Sequence, residues 1–161
     1  MSEIKHKITL NLILLFSIFS LFTAYFIQYV LKHQPCNLCL IERVPYIASI
    51  IVILICIFSK KFERISLIIL SLIFFSATLI SFYHFGIEQG FIEESMVCNL
   101  NEENGYLSKK TLLKQLKEAP ISCKDVTFKI FGLSLATFNI FISLILGSIT
   151  IRKFLKYEKN K

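Results

Sequence analysis

Charge is scarce in this chain: Asp, Glu, Lys and Arg together make up 18% of its 161 residues. From Ile8 to Leu31 there is none at all over 24 residues. Val44–Phe58, Ile65–Phe85 and Ile130–Ile151 are equally bare. With 55% hydrophobic residues and a mean hydropathy of +0.65, that scarcity excludes a small soluble domain and indicates a membrane protein. There is no internal repeat, phosphate-binding loop or low-complexity tract, so a repeat array or a nucleotide-phosphate site has no footing. The first run is expected to be a retained helix and not a cleaved secretory signal. The apolar stretch of such a signal would span roughly 7–15 residues and end in small side chains, whereas this first run is longer and ends in Tyr25, Phe26 and Tyr29.

A membrane-spanning helix needs roughly 20 apolar residues. The first, third and fourth runs suffice alone. The second has 15 residues and must draw in Leu40 and Ile41. The expected architecture is an all-α bundle of four transmembrane helices in one domain over 1–161, with helices near 8–31, 41–59, 65–85 and 130–151. Basic residues favour the cytoplasmic side. The N-terminal tip (Glu3, Lys5, Lys7) carries +1, Lys60–Arg64 carries +2, and the tail after Ile151 carries +4, which accounts for the whole net charge of +7. Both termini are therefore expected in the cytoplasm, with 32–40 and 86–129 as outer loops. The basic balance is a topology signal and gives no reason to invoke nucleic acid.

That topology sorts the cysteines. Cys36, Cys39, Cys98 and Cys123 fall on the outer side and only Cys56 within a span, where a thiol packs as a small hydrophobe. In a bacterium the outer side is the periplasm, where disulfides persist. Cys36 and Cys39 form a Cys-x-x-Cys pair, whose thiolate can be activated locally. If the second helix starts at residue 40, Cys39 sits at its N-terminus, where the helix dipole favours an anion, and Arg43 lies at i+4 on the same face. Both effects would lower the Cys39 pKa. Pro35 restrains the chain before Cys36, and Pro45 falls in the first helical turn, where its missing N–H costs little.

Cys98 and Cys123 are 25 residues apart; a disulfide there would stabilise the loop by about 3–4 kcal/mol on the chain-entropy account. Two dithiol pairs on one side also suit relayed thiol–disulfide exchange. Four thiolates binding zinc is the weaker alternative, because Cys98 and Cys123 lack the close spacing of zinc ligands; no metal is expected. Between them, Ser108–Pro120 reads as a short basic amphipathic helix, with Leu112, Leu113, Leu116 and Ala119 on one face and Lys110, Lys114 and Lys117 on the other. It would lie on the membrane surface or pack on its own loop. His84 reads either as an interfacial residue with a satisfied hydrogen bond or as a polar group near a ligand headgroup. Glu88 reads as solvated, Tyr25 and Tyr29 as interface-belt aromatics, Gln28 as a pocket-lining candidate, and Asn139 as bonded to another helix.

Taken together, Pro35-Cys36-x-x-Cys39-x-x-Glu42-Arg43, Tyr83-His84-x-Gly86-Ile87-Glu88, Ser122-Cys123-x-x-Val126, Gly132-Leu133-Ser134 and the four spans resemble the disulfide bond formation protein B (DsbB) family over nearly the whole chain. The resemblance implies an inner-membrane protein-disulfide:quinone oxidoreductase with redox-active disulfides Cys36–Cys39 and Cys98–Cys123. A reduced periplasmic thioredoxin-like partner of the DsbA type would attack Cys98–Cys123, with Cys98 taking the mixed disulfide. Cys123 would then exchange with Cys36, and Cys39 would pass electrons to a bound ubiquinone or menaquinone beside Arg43 and, on the sharper reading, His84. The competing expectation is a non-enzymatic membrane scaffold whose disulfides brace its loops. A reversed, reductant-importing flow ranks last, since no cysteine lies in a cytoplasmic segment to receive electrons there.

Overall fold

A computed structural model of the chain describes residues 2–59, 63–94, 98, 122–124, 129–130 and 132–159. The elements are α1 (Ser2–Tyr29), α2 (Asn37–Ile41), α3 (Val44–Phe58), α4 (Glu63–Glu88), β1 (Lys129–Ile130), β2 (Leu133–Ser134) and α5 (Leu135–Lys159). The expected helix Ser108–Pro120 lies outside the described residues.

Four stretches are long and apolar enough to cross a membrane: Lys7–Tyr29, Asn37–Phe58, Arg64–Glu88 and Leu135–Lys156. The second runs through α2 and α3 together, as the shortness of Val44–Phe58 requires. The protein is an all-α, multi-pass membrane protein built as a four-helix bundle. Most side chains of the spans face outward. Leu12, Leu15, Phe19, Phe22, Leu72, Leu79 and Phe141 are exposed, which fits helices whose outer faces meet lipid. α1 packs on α3, α3 on α4, and α4 most extensively on α5. At that contact Gly147 faces Phe74 and Phe75: a Cβ there would meet Phe74 Cβ at 3.5 Å and the Phe75 ring at 3.6 Å, ordinary contact distances.

The interior divides in two. A large apolar cluster contains Leu10, Ile13, Ile53, Cys56, Leu67, Leu70, Phe74 and Leu146, with Tyr46 at its edge. Cys56 is thus a packing residue. A smaller cluster at the other end holds Cys36, Leu38, Ile87, Cys98 and Cys123, with Cys39, Ile41 and Tyr83 against it.

Three local features shape that second end. First, the helix expected over 41–59 is interrupted at Glu42–Arg43. Pro45 has no N–H to offer the carbonyl of Ile41, and its ring crowds that carbonyl, so α2 closes with Arg43 N bonded to Leu40 O at 3.2 Å and α3 begins afresh. Second, α4 continues past Phe85 to Glu88 and stops in a left-handed cap: Gly90 has φ +75, its N–H bonds Ile87 O at 3.0 Å, and Phe91 N–H bonds Gly86 O at 2.9 Å. Third, the fourth long helix starts at Leu135, five residues later than expected. Residues 129–134 form a hairpin instead, with Lys129 opposite Ser134 and Ile130 opposite Leu133. Gly132, at φ +81, makes the turn. Ser134 then caps α5, its Oγ accepting from Thr137 N at 3.3 Å.

Candidate functional site

The Cys-x-x-Cys pair sits at the start of α2. Cys36 is the N-cap residue, in extended conformation (φ −69, ψ 167), and its sulfur accepts the backbone N–H of Cys39 at 3.2 Å. The two sulfurs are 2.6 Å apart in the dithiol form. Cys36 is buried, 6% exposed, and Cys39 is half-buried. The Cys36 thiol is pushed down to about 5, first by the hydrogen bond from the Cys39 thiol and also by His84, against the upward push of burial. This corrects the helix-terminus argument for Cys39. The helix begins at Asn37, one turn earlier than residue 40, so the capping position and the stabilised anion belong to Cys36.

Arg43 is also re-aimed. The break after Ile41 interrupts the i+4 alignment with Cys39, and the guanidinium reaches toward α1. Its Nη1 donates to Gln28 Oε1 at 2.6 Å, and its Cζ lies 4.9 Å from the centre of the Tyr25 ring. Tyr25, read as a belt aromatic, thus also packs against this cation.

Behind the cysteines lies a buried polar system that spacing alone did not reveal. His84, 2% exposed, has Nε2 at 3.5 Å from Cys36 Sγ and Nδ1 at 2.8 Å from Glu42 Oε1. The carboxylate accepts, so Nδ1 carries the proton of that bond. Glu42 Oε2 accepts from Asn139 Nδ2 at 3.1 Å. Asn139 Nδ2 also donates to Ser81 Oγ at 2.7 Å, while its Oδ1 accepts from Tyr46 Oη and from Ser143 Oγ, the latter at 3.2 Å. One α5 side chain therefore ties α3, α4 and the α2–α3 junction together, which meets the expectation of an interhelical Asn139. His84 is buried with its Nδ1 hydrogen bond satisfied by Glu42, and its Nε2 faces Cys36. Glu88 departs from expectation. Its side chain is 5% exposed, with Oε1 at 3.7 Å from His84 Nε2. The extra turn of α4 beyond Phe85 carries it into the interior. The signal available in sequence was the spacing of His84 and Glu88, which share a helix face at i+4.

Cys98 and Cys123 are joined by a disulfide with Cα atoms 5.8 Å apart, both buried at 3% and 2% exposure. They pack in the same cluster as Cys36. Glu94 steadies the Cys123 end, its Oε1 accepting from Ser122 Oγ and, at 3.0 Å, from Lys124 N. All four outer cysteines of the sequence thus meet at one end of the bundle.

A cavity of about 360 Å³ opens beside them in the seam between α1 and α5. Its wall combines apolar side chains, among them Phe16, Phe19, Phe138 and Ile142, with polar ones, among them Cys36, Cys39, Arg43, His84 and Gln28. A space lined by both kinds suits an amphipathic, lipid-soluble molecule with a small polar head, and the residues present fit a quinone.

A protein of Rickettsia prowazekii (strain Madrid E), described as uncharacterized protein RP370, is 31% identical over 146 residues, covering 88% of this chain and 84% of that one. The family model described as "Disulfide bond formation protein DsbB" matches residues 6–152. That match takes in the cysteine end, the polar system behind it and all four spans, so this chain belongs to the DsbB family of membrane proteins of disulfide bond formation.

Proposed function

We propose that the protein is a thiol oxidase of the bacterial inner membrane. It takes electrons from a reduced thioredoxin-like dithiol protein of the DsbA type and delivers them to a membrane quinone. The observation that carries this reading is the shared burial of both cysteine pairs in one cluster, with Cys36, Cys39 and Cys123 on the wall of one cavity. A disulfide that merely braced a loop would have no need to lie against a second dithiol. In this reading both termini are cytoplasmic and the cysteine end faces the periplasm, as the distribution of basic residues favours.

The reaction is a pair of exchanges. A thiolate of the partner attacks Cys98–Cys123, with Cys98 taking the mixed disulfide. The second partner thiol resolves it, which leaves the partner oxidised and Cys98 and Cys123 as thiols. Cys123 next attacks the Cys36–Cys39 disulfide, and Cys98 resolves that mixed bond, restoring Cys98–Cys123 and leaving the Cys-x-x-Cys pair reduced. Closing Cys36–Cys39 again releases two electrons and, with Cys36 as thiolate, one proton. A bound quinone would supply a two-electron, two-proton acceptor for that step, its second proton coming from water to replace the one lost when Cys36 became a thiolate. Arg43, Gln28, His84 and the two cysteines would surround its head, and Phe16, Phe138 and Ile142 its tail.

The chain's other residues serve that chemistry. The Cys39 backbone N–H and His84 stabilise the Cys36 thiolate. Glu42 fixes the His84 ring so that Nε2 faces the sulfur, and Asn139 fixes Glu42. His84 and Glu42 form a path along which a proton can be held between the sulfur and the bundle interior.

The test is quinone reduction by the full-length protein in detergent, with a reduced thioredoxin-like dithiol protein as donor. Wild type is run beside Cys36→Ser and Cys39→Ser. Turnover in wild type and loss of at least a thousandfold in both variants, with native helical signal, is the expected result. No turnover in wild type with both ubiquinone and menaquinone, both disulfides being intact, supports a scaffold whose disulfides brace its loops.

A further inference from the structure

Cys36 Sγ, Cys39 Sγ and His84 Nε2 all lie within 4.8 Å of one another. Two sulfurs and an imidazole are donors of the tetrahedral zinc kind. His84 is also held as a ligating histidine is held. Its Nδ1 is committed to Glu42 Oε1, which fixes the tautomer and turns Nε2 toward the sulfurs. A carboxylate stands beside this trio, outside the set of mutually close donors, and must turn toward the sulfurs to join it as a fourth ligand. Glu88 lies one helical turn beyond His84, its side chain 95% buried (5% exposed), and its Oε2 has no hydrogen-bond partner among the described residues. A buried carboxylate oxygen left unpaired is unfavourable, and a cation beside it would relieve that cost.

We infer that the reduced Cys36–Cys39 pair, with His84 and Glu88, forms a redox-gated site for a soft divalent cation of the zinc class. Binding moves no electrons: Cys36 is already a thiolate, the Cys39 thiol releases its proton, His84 gives up any proton on Nε2, and both sulfurs become ligands of the ion. The sulfurs must part from 2.6 Å to about 3.8 Å, the separation of two ligands at ~2.3 Å on a tetrahedral ion. Two thiolates and the Glu88 carboxylate offset the ion's charge. In the oxidised pair each sulfur is bonded to the other and neither is a thiolate, so the site exists only after reduction. A bound ion then holds the pair reduced, because ligated sulfurs cannot close their disulfide. Such an ion would regulate the electron path proposed above. Its capture rests on that reading only for the reducibility of Cys36 and Cys39.

The probe is Cd²⁺, added to the full-length chain in detergent after reduction and removal of the reductant. The readouts are the ultraviolet thiolate-to-cadmium band and metal retained per chain. Cys98→Ser/Cys123→Ser is the background, so that the other disulfide contributes no ligands. Expected are one ion per reduced chain, none after oxidation of the pair, none on adding Cys39→Ser, and at least tenfold weaker binding on adding Glu88→Gln. An ion absent from the reduced background protein with native helical signal, or retained undiminished after Cys39→Ser, overturns the inference. Should the background variant not fold, reduced wild type is compared with reduced His84→Gln. A loss of one ion per chain supports the site, and equal stoichiometry overturns it. Cadmium capture by a wild type that shows no quinone turnover would sink the electron-transfer reading and leave this one standing; turnover without capture would do the reverse.

Discussion

At one end of the bundle Asn139 makes four hydrogen bonds, three of them to other parts of the chain, and a histidine, two carboxylates and four cysteines, three of them buried, gather at that end. Toward the other end Leu10, Ile13, Ile53, Leu67, Leu70 and Phe74 pack against one another, and Thr150 bonds to carbonyls of its own helix, Leu146 O and Gly147 O. Tyr46 belongs to both, its ring edge-on to Phe74 at 6.3 Å and its hydroxyl on Asn139. Lipid gives helices little hydrophobic reason to associate, so both ends rely on fit. The apolar half supplies that fit by close packing. The cysteine end supplies it by cross-linking most of its polar groups, because an unpaired one is costly at that depth, Glu88 Oε2 being the exception among the described residues. Rigidity can therefore be lost in one half without touching the chemistry, and chemistry in the other with only a modest loss of rigidity.

Four measurements would break or sharpen that contrast. The largest expected displacement is in the titration of Cys36, from an ordinary 9.0 to about 5. Thiolate absorbance of the reduced protein should show a midpoint near pH 5 that Cys36→Ser removes. The sign follows from the lowered value. Below pH 5 the sulfur is protonated, and the stability it lends the reduced form is complete above pH 9 and lost as the pH falls toward 5. A midpoint near 9 would mean that the N-cap and His84 do not hold the anion.

Phe74→Ala, at a fully buried position, should cost about 3–5 kcal/mol in denaturant unfolding from detergent. Quinone turnover per folded molecule should stay within about twofold of wild type if the halves are separable. Glu42→Gln should do the opposite. It replaces the carboxylate that accepts from both His84 Nδ1 and Asn139 Nδ2 by a neutral amide with one acceptor oxygen, and should lower turnover by about 10–100-fold, as loss of an orienting carboxylate does, with an unfolding cost of only about 1–3 kcal/mol. Equal turnover would show that His84 needs no orienting partner. The smallest effect belongs to Ser134→Ala. Losing the α5 N-cap should cost about 1 kcal/mol, read as a lower melting temperature.

Much of this could be read along the chain. Four uncharged runs dictated four spans, and the shortness of Val44–Phe58 dictated that the second would reach back to the cysteine pair. Cys56 was legible as packing because apolar neighbours surround it in sequence as well as in space. The places where sequence and structure part are local. α2 starts at Asn37, which puts the capping sulfur on Cys36 instead of Cys39, and Pro45 breaks the helix after Ile41, which turns Arg43 away from Cys39. Gly132 and Ser134 delay α5 by a hairpin. Glu88 looked solvated because it follows the apolar run Ile65–Phe85, but α4 carries it inward before Gly90 ends the helix.

The sequence by itself determined the class, the number of spans and the cysteine inventory, because a bilayer reads hydrophobic length and charge from the chain one segment at a time. Only the tertiary structure decided that His84, Glu42 and Asn139 form one line behind Cys36, and that Cys98–Cys123 lies against the Cys-x-x-Cys pair. Those partners are 42 to 97 residues apart. Nothing in local periodicity encodes which face of one helix will meet which face of another. That is settled by the joint demand that buried polar groups find partners while Gly147 and Phe74 pack at contact distance.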